Sequence, residues 1–136
     1  MFNFRYKLLF CLFVFLISIE IKTKDPYDND LNGKQLICFT SSDSIDDWGI
    51  KFLRDKKVLL YSLDKFIYEI YQYRRTYRTD LRNIMILKGN DVEFVINRKT
   101  LKFGNKNCKL NNNDPKILLE SRIEELKKAK TKLNKI

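Results

Sequence analysis

Short runs of alternating apolar and polar residues along the middle of the chain predict β-strands. The alternating apolar positions include Leu36 and Cys38; Trp48, Ile50 and Phe52; Val92, Phe94 and Ile96; and Leu101 and Phe103. Turn-forming residues separate the runs at 54–56, 88–91 and 97–99. Turns at intervals of roughly 8–12 residues are typical of antiparallel all-β domains. We therefore predict an antiparallel meander or small barrel-like sheet of seven to eight strands, including a long aromatic strand from Phe66 to Tyr77.

Helical spacing replaces this alternation near the C-terminus. Asp114 is a favourable N-cap residue, and Pro115 suits the first helical position. Apolar residues then recur at helical spacing: Ile117, Leu118, Leu119, Ile123, Leu126, Ala129 and Leu133. We predict one helix over residues 115–133 that packs on the sheet, which gives an α+β, mainly β fold. Docking of this stripe on a partner helix or a membrane surface is the alternative.

The N-terminal residues have the organisation of a secretory signal. Arg5 and Lys7 precede an apolar run over residues 8–19. As a helix this run rises about 18 Å, which is short of the roughly 30 Å of bilayer hydrocarbon. Residues 1–23 are therefore predicted to form a signal helix. The alternative is an uncleaved anchor that contacts the membrane through residues 8–21.

The domain organisation follows from what comes after this segment. Residues 24–33 are polar and rich in turn formers, and are predicted to be a linker. Residues 34–136 are then predicted to be a single β-rich domain that includes the C-terminal helix.

The cysteines indicate the compartment in which the protein works. Cys11 lies in the predicted signal, which leaves Cys38 and Cys108. An even pair in an exported chain predicts a disulfide, here between the first and the last strand. Two buried free thiols are the alternative if the chain stays in a reducing compartment.

The composition excludes several kinds of catalytic site. The chain has no histidine, which excludes Ser-His-Asp and Cys-His catalysis and histidine-ligated metals. Its four glycines form no phosphate-binding loop. Asp43, Asp46 and Asp47 have oxygens suited to calcium, but their spacing fits no known loop and predicts a solvated turn. We predict a non-catalytic protein without metal or cofactor.

Basic residues dominate the charge of the chain, with 27 Lys and Arg, 17 Asp and Glu and a formal net charge of +10. Tyrosines and arginines interleave in the stretch 68–82, where rings can stack bases and guanidinium groups can hold phosphates. This candidate surface for an anionic ligand comprises Tyr71, Tyr73, Tyr77, Arg74, Arg75, Arg78 and Arg82. Tyrosine rings packed on arginine stems, without a ligand, are the alternative.

Several short motifs follow one another over most of residues 34–136. They are, in chain order, Trp48-Gly49-x-x-Phe52-Leu53, Val58-x-x-Tyr61, residues 77–80 followed by Ile84 and Ile86, residues 96–101, and Cys108 followed by a lysine-rich helix. In this order the chain resembles an uncharacterised family of small exported proteins from marine planktonic bacteria. The resemblance implies an exported small β-rich domain and transfers no catalytic residues.

These observations together predict an exported β domain, periplasmic or extracellular, that binds or supports an envelope component. The basic charge favours an anionic partner. The alternatives are a nucleic-acid-binding module that uses the strand within 68–82, which export argues against, and a membrane-anchored accessory protein.

Overall fold

The computed structural model describes residues 30–40 and 46–134. The predicted signal or anchor (1–23) lies outside the described residues, as do residues 24–29, 41–45 and 135–136. Eight antiparallel strands follow chain order around a closed barrel: β1 (Gln35–Phe39), β2 (Asp47–Phe52), β3 (Lys57–Asp64), β4 (Glu69–Thr79), β5 (Asn83–Lys88), β6 (Asp91–Asn97), β7 (Lys102–Phe103) and β8 (Lys106–Leu110). Helix α1 (Pro115–Leu133) follows the barrel. The predicted mainly β fold with one C-terminal helix is confirmed.

Pairing of β1 with β8 closes the barrel. Cys38 lies directly opposite Cys108 in this pairing, and the two residues form a disulfide bond. Both cysteines are buried within the barrel core. The predicted bond between the first and last strands is therefore confirmed, and it links the two strands that complete the sheet.

Apolar side chains fill the interior of the barrel. Besides the cysteines, the buried interior residues are Leu36, Ile50, Phe52, Val58, Leu60, Tyr77, Ile84, Ile86, Ile96 and Phe103. An eight-stranded barrel has an interior just wide enough for such side chains to fill. The surfaces left for binding a ligand are therefore the outer face of the barrel and its ends.

Helix α1 packs against the outer face of the barrel, where Leu119 joins Ile37, Tyr61 and Leu63 in a second buried cluster. At the start of the helix, the Asp114 side chain accepts a hydrogen bond from the backbone N–H of Lys116. Lys51 Nζ also lies 2.8 Å from Asp114 Oδ2. The hydrogen bond from Lys51 lowers the pKa of Asp114, which keeps the cap ionised.

Gly49 allows the first turn of α1 to approach β2 closely. A Cβ atom at Gly49 would lie 2.5 Å from Cβ of Pro115, well inside van der Waals contact. We expect Gly49→Ala to lower the free energy of unfolding by about 1–3 kcal/mol, because the helix must move outward. Urea unfolding of Gly49→Ala, Pro115→Gly and the double variant measures this change in the free energy of unfolding. The double variant should lose less than the sum of the single losses, and an additive result would contradict the steric explanation.

Tyr77 lies in the barrel core rather than on the surface that the sequence predicts. Its side chain is 2% exposed, and its ring meets Phe52 edge to face with centroids 4.9 Å apart. Its hydroxyl accepts a hydrogen bond from the N–H of Leu31 and lies 3.2 Å from Asp30 Oδ1. The assignment of Tyr77 to the anionic-ligand surface is therefore wrong. The end of the predicted linker also packs on the barrel, through Leu31.

The long aromatic strand begins later than the sequence predicts. Residues 65–68 form the turn between β3 and β4, so Phe66 and Ile67 lie outside both strands. The Asp64 carboxylate accepts hydrogen bonds from the N–H groups of both residues. This local side-chain bonding to the backbone competes with strand pairing and favours the turn.

Candidate functional site

Strand β4 extends beyond its neighbour β5. It pairs with β3 from Glu69 to Thr76, but β5 pairs only with residues 76–79. Within the described residues, no strand pairs with the other edge of β4 over 69–75. The β3–β4 hairpin therefore projects past the β5–β6 turn, which lies beside Arg75 and Thr76.

The predicted tyrosine and arginine surface is divided between the two faces of β4. Alternation along a strand sends successive side chains to opposite faces. Tyr71, Tyr73 and Arg75 lie on the same face of β4 as Tyr77, which points into the barrel. Arg74 and Arg78 occupy the opposite, outer face, and Arg82 lies between β4 and β5. The structure therefore does not bring this set of residues together.

An aromatic cluster covers the end of the barrel beneath the projecting hairpin. The Trp48 ring lies 6.3 Å from Tyr73, 5.5 Å from Phe94 and 6.0 Å from Phe103, measured between ring centroids. Lys106 Nζ lies 5.8 Å from the Trp48 centroid, and burial lowers the pKa of this lysine. The sequence analysis did not predict this cluster. The one feature of the sequence that could have indicated it is the single tryptophan of the chain, Trp48.

Two polar residues on the same face of β4 are already engaged by carboxylates. Arg75 Nε lies 2.6 Å from Glu93 Oε2, and this hydrogen bond raises the pKa of Arg75. The Tyr71 hydroxyl donates to Glu69 at 3.0 Å, which raises the pKa of Tyr71. The charge of Arg75 is therefore compensated within the protein, and its ion pair connects β4 to β6.

A groove of about 530 Å³ lies where β5 diverges from β4. Its lining residues are Leu53, Lys57, Val58, Leu59, Arg74, Arg75, Thr76, Leu87, Lys88, Gly89 and Asn90, and none of these is acidic. Arg75 is paired with Glu93, but the described part of the chain provides no ion pair for Lys57, Arg74 or Lys88. We call this feature, defined by Lys57, Arg74 and Lys88, the cationic groove.

Asp47 is buried at the same end of the barrel as the aromatic cluster. Its Oδ1 atom accepts a hydrogen bond from the N–H of Thr40 at 3.1 Å and lies 3.0 Å from Lys65 Nζ. Its Oδ2 atom lies 3.5 Å from Arg122 Nε on α1, without a hydrogen bond. The predicted solvated turn is therefore wrong for Asp47. A buried carboxylate needs such compensation, and this one connects β2, the β3–β4 turn and α1.

Two further observations apply to residues 30–40 and 46–134. No group of three or more Cys, Asp or Glu side chains is arranged there to hold a metal ion. No helix in these residues has both the length and the apolar character needed to cross a bilayer.

The likeness to small exported bacterial proteins, drawn from the order of short motifs, stays a prediction. Comparison with known proteins gave no match to a protein-family model, a curated protein or a solved structure.

Proposed function

We propose that this protein is an exported, non-catalytic binding domain of the cell envelope or the extracellular space. We further propose that its ligand is an anionic envelope component held in the cationic groove. The observation that carries this proposal is that Lys57, Arg74 and Lys88 line one groove without an acidic residue among its lining residues. A recess lined by charge of one sign concentrates ligands of the opposite sign.

The chemistry of the groove suits a carboxylate or a phosphate attached to a larger body. A guanidinium such as that of Arg74 binds either anion through two parallel hydrogen bonds, and lysines add point charges. Leu53, Leu59 and Leu87 also line the groove and provide apolar contact surface. The volume of about 530 Å³ lies within the range of ordinary ligand sites.

The disulfide supports the exported location. Disulfides persist in oxidising compartments, and the Cys38–Cys108 bond is compatible with such an environment. The signal predicted for residues 1–23 supports the same location.

The nucleic-acid alternative has weaker support from the geometry. A single-strand-binding surface combines base-stacking rings with cations that follow the backbone. Here Tyr71 and Tyr73 lie on one face of β4, whereas Arg74 and Arg78 lie on the other.

Titration of the ¹⁵N-labelled protein at low salt tests the proposal, with inorganic pyrophosphate as the phosphate probe and tetragalacturonate as the carboxylate probe. We expect amide shifts at Arg74, Lys88 and Gly89 with at least one probe. We expect Arg74→Glu/Lys88→Glu to weaken that binding about tenfold or more, because charge-assisted hydrogen bonds are lost.

Lys99→Glu/Lys102→Glu is the matched control, because it makes the same change in net charge at exposed residues outside the groove. Equal loss in both double variants would show general charge attraction and contradict a groove site. A single-stranded oligonucleotide that shifts Tyr71 and Tyr73, while both probes leave the groove unshifted, would favour the alternative instead.

A further inference from the structure

The turn between β3 and β4 exposes two large apolar side chains at the end of the projecting hairpin. Phe66 is 73% exposed and Ile67 is 54% exposed. Scattered exposed apolar residues are ordinary, but adjacent ones at a projecting end mark a candidate contact surface. We call this pair the apolar tip.

Contacts on both sides hold the apolar tip in one orientation. The Asp64 carboxylate accepts hydrogen bonds from the N–H groups of Phe66 at 2.8 Å and Ile67 at 3.3 Å. The side chain of Lys65 points back to the buried Asp47 carboxylate, 3.0 Å away. The backbone therefore presents the two apolar side chains without first having to become ordered.

The C-terminal part of α1 places lysines beside this turn. Lys127 Nζ and Lys130 Nζ each lie 5.8 Å from the ring centroid of Tyr68, the last residue of the turn. The segment 126–134 also contains Lys128 and Lys132 and has no acidic residue. The carboxylates flanking the turn are engaged, Asp64 by the turn N–H groups and Glu69 by the Tyr71 hydroxyl.

We propose that the apolar tip inserts into the interfacial region of an anionic lipid bilayer, while the α1 lysines contact the headgroup phosphates. Apolar side chains flanked by lysines are the combination that binds anionic membrane surfaces. A protein partner fits less well, because a stable interface covers about 800 Å² per partner and a projecting pair offers much less. This inference goes beyond the proposed function, since Phe66 and Ile67 do not line the cationic groove.

Tryptophan fluorescence of the full chain tests where the tip lies. We expect Phe66→Trp to shift to shorter wavelength, and to be quenched by acyl-chain-brominated lipid, on vesicles of equal phosphatidylglycerol and phosphatidylcholine. Leu81→Trp places the reporter at an exposed site in the β4–β5 turn and is the matched control. Its fluorescence should show no wavelength shift and no lipid quenching beyond those of the native Trp48. The reporter at position 66 measures insertion of the tip itself, even if residues 8–21 also bind the vesicle.

Vesicle co-sedimentation of substituted full chains provides the second measurement. We expect Phe66→Ser/Ile67→Ser to reduce partitioning about tenfold or more. Lys127→Glu/Lys130→Glu should reduce it to a similar extent, by about tenfold or more. Leu81→Ser and the groove variant Arg74→Glu/Lys88→Glu should stay close to the parent protein, which separates this inference from the groove proposal.

Three results would overturn the inference. The first is an unquenched Phe66→Trp signal on vesicles that carry the protein. The second is an equal loss of partitioning for the tip variant and Leu81→Ser. The third is equal quenching of Phe66→Trp on pure phosphatidylcholine vesicles and on the anionic vesicles, which would remove the role of the lysines.

Discussion

Replacing the disulfide by Cys38→Ala/Cys108→Ala is expected to lower the free energy of unfolding by about 4 kcal/mol. The bond joins residues 70 positions apart, so its loss releases a long loop in the unfolded chain. It also removes the covalent link between β1 and β8, whose pairing closes the barrel. In a domain of this size the loss corresponds to a fall in Tm on the order of 15 °C.

Thermal and urea unfolding with and without dithiothreitol measure this effect. Reductant should destabilise the parent protein by a similar amount and leave the double alanine variant unchanged. That comparison separates the cross-link from the cavity that two smaller side chains create in the core. A parent protein equally stable with its disulfide intact and reduced would contradict the bracing role.

Asp47→Ala is expected to lower the free energy of unfolding by about 3 kcal/mol. The Asp47 side chain is fully buried, with Lys65 3.0 Å from one oxygen and Arg122 3.5 Å from the other. Removing the carboxylate leaves Lys65, whose side chain is 11% exposed, without its buried counter-charge. The N–H of Thr40 also loses its acceptor, Asp47 Oδ1.

A double-variant cycle in urea tests whether the ion pair is responsible. Asp47→Ala/Lys65→Met should cost less than the sum of the single changes, because the second change removes the uncompensated cation. Asp91→Ala is the control, since Asp91 is exposed, and it should change stability by no more than about 0.5 kcal/mol. If Asp47→Ala lowers the free energy of unfolding as little as the control does, the buried carboxylate does not stabilise the fold.

The features that could be predicted from the sequence are those that local pattern determines. The alternation of Trp48, Ile50 and Phe52 sends these side chains to one face whatever their neighbours are, and all three lie in the barrel core or against it. The Asp114-Pro115 pair marks the start of α1 because capping depends on adjacent residues. The pairing of Cys38 with Cys108 followed from counting the cysteines left after the predicted signal.

The remaining features depend on distant residues that only the folded chain brings together. Tyr73 and Tyr77 share a face of β4, yet Tyr77 is buried and Tyr73 is 37% exposed, because β5 pairs with only the last part of β4. The cationic groove likewise requires the register that places Lys57 and Lys88 beside Arg74. Alternation gives the face of each residue but not where a neighbouring strand ends.

The intact mass of protein recovered from its native host, with and without reductant, tests the central claim of an exported, disulfide-closed domain most directly. We predict a mass that lacks residues 1–23 and that rises by two hydrogen atoms on reduction, as the Cys38–Cys108 bond opens. A full-length mass that reductant leaves unchanged would mean three free thiols. It would contradict both export and closure of the barrel by the disulfide.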